Sequence, residues 1–147
     1  MFGIHRQSEK EVTIVAIPSS IFQDRNLAPL ESITEYLKEE NDLSYHEIAQ
    51  ILDRDDRTIW TCYNRAQKKR QEHPKAREPS KKDVQIPLEI FKNRQLAPLE
   101  SISFYLKERA SMSFHEIAVL VGRDDRTIWT CHNRAKKKQA RQGVVAG

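Results

Sequence analysis

One stretch of the chain occurs twice. Ile17 to Lys69 aligns with Ile86 to Lys138 without a gap, at a constant offset of 69 positions, and about two thirds of the positions are identical. A duplication of this kind constrains the fold more than composition does, because whatever elements one copy forms, the other must form as well. Between the copies lies "RQEHPKAREPSKKDVQ", which is polar, basic and broken by Pro74 and Pro79, so it reads as an exposed linker. The chain is expected to divide into an N-terminal arm (1–16), a first module (17–69), the linker (70–85), a second module (86–138) and a tail (139–147). Ahead of the copies, "EVTIVAIP" and its shorter counterpart "KDVQIP" have the look of extended, strand-like arms.

Local signals within each copy are those of short helices. Pro18 and Pro87 suit the first turn of a small helix, where an N–H would be unpaired in any case. A second helix starts near Pro29 or Pro98. Its Leu30, Ile33 and Leu37 recur at i, i+3 and i+7 as an apolar stripe, with Glu31, Glu35, Lys38 and Glu39 expected to point elsewhere. Ser44 with Glu47, and Ser113 with Glu116, have the spacing of a capping box in which two side chains satisfy free N–H groups at a helix start. The helix that follows is short, Tyr45 to Leu52 or Phe114 to Val121. Asp53-Arg54 and Gly122-Arg123 then make a tight turn, and Asp55 or Asp124 caps a final helix expected to run to about Lys69 or Lys138. Two helices joined by so small a turn form a helix-turn-helix.

The stretch "LSYHEIAQILDRDDRTIWTCYNRAQKK" and its duplicate resemble the helix-turn-helix of region 4 of sigma-70-type transcription factors and of related response regulators. There an S-x-x-E-I-A-x-x-L helix precedes a turn and a T-[IV]-x-x-x-x-x-R-A-x-x-K recognition helix. The resemblance covers about 27 residues per copy. It implies an all-α chain of two tandem helix-turn-helix modules. It also implies double-stranded DNA as partner and RNA polymerase as a second candidate, since region 4 modules bind both. Two departures stand out: Arg54 and Arg123 occupy a turn position usually held by an apolar residue, and two consecutive aspartates open the recognition helix. Nothing matches the other sigma regions, so a complete sigma factor is not expected.

Helix geometry indicates which residues a partner would meet. At about 100° per residue, with Ile59 facing the core, the opposite face carries Arg57, Thr61, Asn64 and Lys68, with Arg65 on its shoulder and Lys69 following. The second copy repeats these types as Arg126, Thr130, Asn133, Lys137, Arg134 and Lys138. A major groove accepts one helix, arginine pairs with guanine in bidentate fashion and asparagine with adenine, while threonine and lysine suit phosphates or methyl groups. The bland alternative is a solvated polar face. Asp56 and Asp125 are expected to be surface residues that favour the positive helix end. Trp60 and Trp129 lie about 100° from the core direction, where an indole more often packs on a neighbouring helix than touches a base.

Other classes of function find little footing. "HEIAQ" at His46 and "HEIAV" at His115 lack the second histidine of H-E-x-x-H, so no zinc site is expected. Cys62 and Cys131 form no C-x-x-C pair and suit small buried fillers. The swap of Tyr63 for His132 suggests a partly exposed edge. With no convergent nucleophile, base and orienting group, neither an enzyme nor a cofactor is expected. At 147 residues, 38% apolar and 31% charged, the chain can bury one ordinary core or two small ones. No signal-peptide pattern occurs, nor any run near the roughly 18 apolar residues that span a bilayer, so no membrane partner and a cytoplasmic, nucleoid-associated location are expected. A net charge of +4 with pI near 9.1 leans toward a polyanion. The leading expectation is a DNA-binding transcriptional regulator, acting as a monomer with an internal pseudo-dimer. A nucleoid-associated architectural protein, or an adaptor docking on RNA polymerase or another protein through its acidic packing helices, is the alternative.

Overall fold

A computed structural model describes residues 16–74 and 83–146, with side chains through residue 141. The arm before Ala16 and the middle of the linker lie outside the described residues. The short stretches ahead of the two copies pair with each other. β1 (Ala16–Pro18) and β2 (Gln85–Pro87) form a two-stranded antiparallel ladder in which Ile17 faces Ile86, Ala16 faces Pro87 and Pro18 faces Gln85. Ile86 is the duplicate of Ile17, and Pro87 that of Pro18, so this register relates the copies by an approximate two-fold axis through the isoleucine pair. Proline cannot continue a ladder, and each strand ends there. Pro18 and Pro87 sit at the cap of short 3-10 turns, Ser19–Phe22 and Leu88–Lys92, one residue ahead of the first-turn position expected for them. The Asp83 carboxylate accepts from Ser19 Oγ at 2.8 Å, Ser20 N–H at 2.6 Å and Ser20 Oγ at 2.8 Å, tying the end of the linker to the first of these turns.

Three helices follow in each copy: α1 (Pro29–Glu39), α2 (Tyr45–Leu52) and α3 (Asp56–Glu72), then α4 (Pro98–Glu108), α5 (Phe114–Val121) and α6 (Asp125–Ala146). The protein is mostly helical, with one small sheet among the described residues. Local chemistry explains the boundaries. Pro29 and Pro98 open α1 and α4 at the first helical positions. Ser44 Oγ accepts from Glu47 N–H at 3.1 Å while Glu47 Oε1 accepts from Ser44 N–H at 2.8 Å, and Ser113 with Glu116 repeats both distances. The turn after α2 uses Asp53 at φ 55° and that after α5 uses Gly122 at φ 67°, the left-handed conformation that ends a helix. α3 and α6 run past the expected Lys69 and Lys138 boundaries.

Packing crosses the pseudo-axis. The 3-10 turn of each copy lies against its own packing helix and against the short helix of the other copy, α5 or α2. Buried Ile17, Ile21, Phe22, Ile33, Leu37, Ile48, Leu52 and Ile59 form a single cluster with Ile86, Leu88, Phe91, Ile102, Leu106, Ile117, Val121 and Ile128. The two copies thus share one core, and each such side chain contributes about 1.5–3 kcal/mol by burial. Arg54 and Arg123 explain their departure from the apolar turn residue. Arg54 Nη1 donates to Phe91 O of the other copy at 2.9 Å and to Leu52 O at 2.8 Å; Arg123 Nη1 donates to Phe22 O at 3.0 Å and Val121 O at 3.0 Å. This reciprocity is what a two-fold contact requires. Gln23 Nε2 also crosses, donating to the last carbonyls of α5 at Val119 (2.9 Å) and Leu120 (2.5 Å). Gly122 is needed opposite it, since a Cβ there would stand 2.7 Å from Gln23 O.

Glu39 and Glu108 are exposed as the apolar stripe implies, but the other acidic side chains of the packing helices are not. Glu31 and Glu35 are 5% and 2% exposed, and Glu100 is 5% exposed. They are buried because cations of α3 and α6 reach them. Arg70 donates through Nε and Nη2 to the two Glu35 oxygens, both at 2.8 Å, and through Nη1 to Asp24. That grip ties the last turns of α3 to α1 and to the loop after the first 3-10 turn.

With a shared core, the chain should unfold in one cooperative transition seen alike by tryptophan fluorescence and by helical circular dichroism. Arg123→Ala, which strands a part-buried carbonyl, should lower stability by about 1–3 kcal/mol without splitting that transition. Two separate transitions would contradict a common core.

Candidate nucleic-acid interface

α3 and α6 are anchored at both ends. At the start, Asp55 Oδ1 accepts from Thr58 N–H at 2.9 Å, and Asp124 Oδ1 accepts from Thr127 N–H at 3.4 Å and from its hydroxyl. Hydrogen bonding from Thr58, with Arg94 and Arg57 adding, holds the Asp55 carboxyl below the usual carboxylate range; Thr127 and then Arg25 do the same for Asp124. Arg94 and Arg25 each belong to the opposite copy, in the loop after the crossing 3-10 turn, and both are exposed. Each basic helix therefore carries an arginine delivered across the pseudo-axis at its N-terminal end. Sequence reasoning missed these two residues. Their signal was faint: a loop arginine kept in both copies, Arg25 and Arg94.

Asp56 and Asp125 have partners. His46 Nδ1 lies 3.2 Å from the Asp56 carboxylate and His115 Nδ1 lies 3.2 Å from that of Asp125, all four side chains being exposed. These contacts join α2 to α3 and α5 to α6 across the tight turn. Among the described residues, no group of three or more His, Cys, Asp or Glu side chains stands ready to hold a metal ion.

The expected contact residues divide into two groups. Arg57, Asn64, Arg65 and Lys68 on α3 are exposed and Thr61 is half-buried; on α6, Arg126, Arg134 and Lys137 are exposed while Thr130 and Asn133 are half-buried. Thr61 Oγ1 donates to Arg57 O at 2.9 Å, and Asn64 Nδ2 donates to Trp60 O at 2.8 Å, as Asn133 does to Trp129 O at 3.0 Å. These groups are partly engaged by their own helix, which leaves the arginines and lysines as the freer donors. Lys69 and Lys138 differ. Lys69 Nζ lies 2.7 Å from Glu31 Oε1, and Lys138 Nζ lies 2.8 Å from Glu100 Oε1. The same oxygens accept from Ala28 N–H and Ala97 N–H at 3.0 Å, so each lysine locks the start of its packing helix to the last helix of its module.

Trp60 and Trp129 do not pack on a neighbouring helix as their angle suggests. They are 54% and 55% exposed, beside the basic face. Periodicity gives a side chain's direction but not whether another helix arrives there, and here α1 and α2 cover only the core side of α3. The aromatic position that does pack is the next one along the core edge. Tyr63 Oη donates to Glu39 Oε2 at 3.0 Å, and burial followed by that carboxylate pushes its phenol up to about 12. His132 keeps the contact, with Nε2 2.8 Å from Glu108 Oε2, and is buried against Phe104 and Phe114 instead of lying at an exposed edge. Cys62 is buried and Cys131 half-buried, and burial pushes both thiols up. That disfavours the reactive thiolate.

The second copy lacks the Arg70 cluster. Asn93, Phe104 and Gln139 stand where Asp24, Glu35 and Arg70 stand in the first, and they help line a cavity of about 210 Å³ with Ile90, Leu96 and Tyr105. The basic faces are therefore alike while the bodies behind them are not.

Lys68 and Lys69 provide a test of this division. Lys69→Ala should lower stability by about 1–2 kcal/mol in a urea titration, because it strips a buried carboxylate of its cation, a cost moderated by the partial exposure of the lysine. Lys68→Ala should leave the midpoint unchanged. Equal effects would mean that the Glu31 pair carries no load.

Comparison of the chain with protein-family models, with curated proteins and with solved structures finds no match.

Proposed function

We propose that the protein binds double-stranded DNA as a single-chain pseudo-dimer and regulates transcription. In this reading α2, the Asp53–Arg54 turn and α3 are one helix-turn-helix, α5, the Gly122–Arg123 turn and α6 the other, and α3 and α6 lie in major grooves. The observation that carries it is the pairing of two equivalent basic helix faces, each with exposed Arg57, Arg65 and Lys68 or their duplicates, across the approximate two-fold of the Ile17–Ile86 ladder. A two-fold protein matches the two-fold relation between half-sites of a palindrome. Arg57 and Arg126 would read guanine, Lys68, Lys137, Arg65 and Arg134 would neutralise phosphates, and Arg94 and Arg25 would add a phosphate contact from the opposite copy.

The adaptor reading loses part of its support, because Glu31, Glu35 and Glu100 of the packing helices are buried in ion pairs, and the exposed Glu39 and Glu108 are engaged by Tyr63, Gln67 and His132 of the last helices. The architectural reading shares the same surface and differs only in sequence preference. No helix among the described residues is long and apolar enough to cross a membrane.

Fluorescence anisotropy with duplex DNA at varied salt tests the proposal. If about 6–10 phosphates are contacted, affinity should fall roughly 10³- to 10⁵-fold between about 50 and 200 mM salt. Arg57→Ala or Arg126→Ala should cost about 1–3 kcal/mol at one base pair of one half-site, while Lys68→Ala should weaken all sequences alike. An affinity indifferent to salt would remove DNA from consideration.

A further inference from the structure

Trp60 and Trp129 are left without an assigned role by the DNA reading, and the sequence placed them in packing. They are the two tryptophans of the chain, at equivalent positions on α3 and α6, and with Val119 they are the large apolar side chains found exposed among the described residues. Val119 stands where the first copy has Gln50, so its exposure is not a property of both copies. The tryptophans are. Half-exposed indoles at equivalent positions on two otherwise polar faces mark apolar surface open to a partner.

The surroundings define that partner. On the helix, Trp60 is flanked by Arg57 at i−3 and Asn64 at i+4, each within about 60° of it, and Lys68 lies about 80° away. An indole bordered by cations and an amide does not suit an apolar protein groove, which would have to bury those charges. It suits a polyanionic surface with isolated apolar points. In the major groove the apolar point on a base edge is the C5-methyl group of thymine.

We propose that Trp60 and Trp129 are specificity-determining residues that each cover a thymine methyl group, one in each half-site and related by the pseudo-axis. This rests on the DNA-binding reading and extends it: the protein recognises A·T pairs through apolar contact as well as G·C pairs through arginine. The amide of Asn64 donates to Trp60 O, which holds this polar neighbour against the helix.

The test uses the full chain and a duplex recovered from a random library, with deoxyuridine replacing thymidine at each position in turn. Deoxyuridine removes the methyl group and nothing else. One position in each half-site should weaken wild-type binding roughly 4-fold, as expected for one buried methyl-sized group, and both together about 15-fold. Trp60→Ala should abolish the penalty at one half-site and Trp129→Ala at the other, each variant keeping the wild-type melting temperature because the indole is exposed. Wild-type tryptophan emission should shift to the blue on binding. If the chain binds the duplex but deoxyuridine costs nothing, or costs wild type and both variants equally, the tryptophans do not read thymine. If the chain binds no duplex at all, as seen by anisotropy of labelled DNA, the failure lies in the DNA reading, and the proposal falls with it.

Discussion

The pairing of Ile17 with its own duplicate, Ile86, is the constraint on which the rest depends. Because the antiparallel ladder is centred on equivalent residues, the main contacts made by one copy on the other are matched in return. The 3-10 turns cross, Phe22 and Phe91 enter the common core, and Arg54 and Arg123 exchange hydrogen bonds to the carbonyls of Phe91 and Phe22. A duplicated sequence could equally have formed two beads on a string. Here each half is too small to bury its apolar turns alone, and sharing them gives the chain a core of ordinary size.

Within that symmetry the copies are not interchangeable. The first is stiffened by a part-buried Arg70–Glu35–Asp24 cluster, whereas the second replaces all three members together and leaves a cavity. Gly122 answers the close approach of Gln23, and Asp53 takes the same left-handed turn where Lys92 is the counterpart. Such differences fall behind the basic helices and spare their outer faces. This is the pattern expected if the two faces meet the same chemistry while the supporting body is free to diverge.

Helices, caps and turns were legible in the sequence because their causes are local. The Ser44–Glu47 box, the Asp55 cap and the prolines before α1 and α4 all lie within a few residues of what they control. The cross-axis contacts were not legible, since Arg54 and Phe91 are 37 positions apart and nothing local pairs them. Charge made the packing helices misleading: Glu31 and Glu35 look solvated until Lys69 and Arg70, at the far end of the same copy, are known to reach them. One signal was present and unused. Asp24, Glu35 and Arg70 all change between the copies, to Asn93, Phe104 and Gln139, as residues in mutual contact tend to. For the candidate interface, the positions of Arg57, Arg65 and Lys68 followed from periodicity, whereas Lys69, the exposed tryptophans and the arginines supplied by the opposite copy required the tertiary structure.

The central claim is that one chain presents two equivalent DNA-reading faces related by a two-fold axis. Selection of bound duplexes from a random library, followed by alignment of the recovered sequences, tests it most directly. The account predicts an inverted repeat of two similar half-sites occupied by a single chain. A direct repeat, a lone half-site or recovered sequences without a common motif would contradict it.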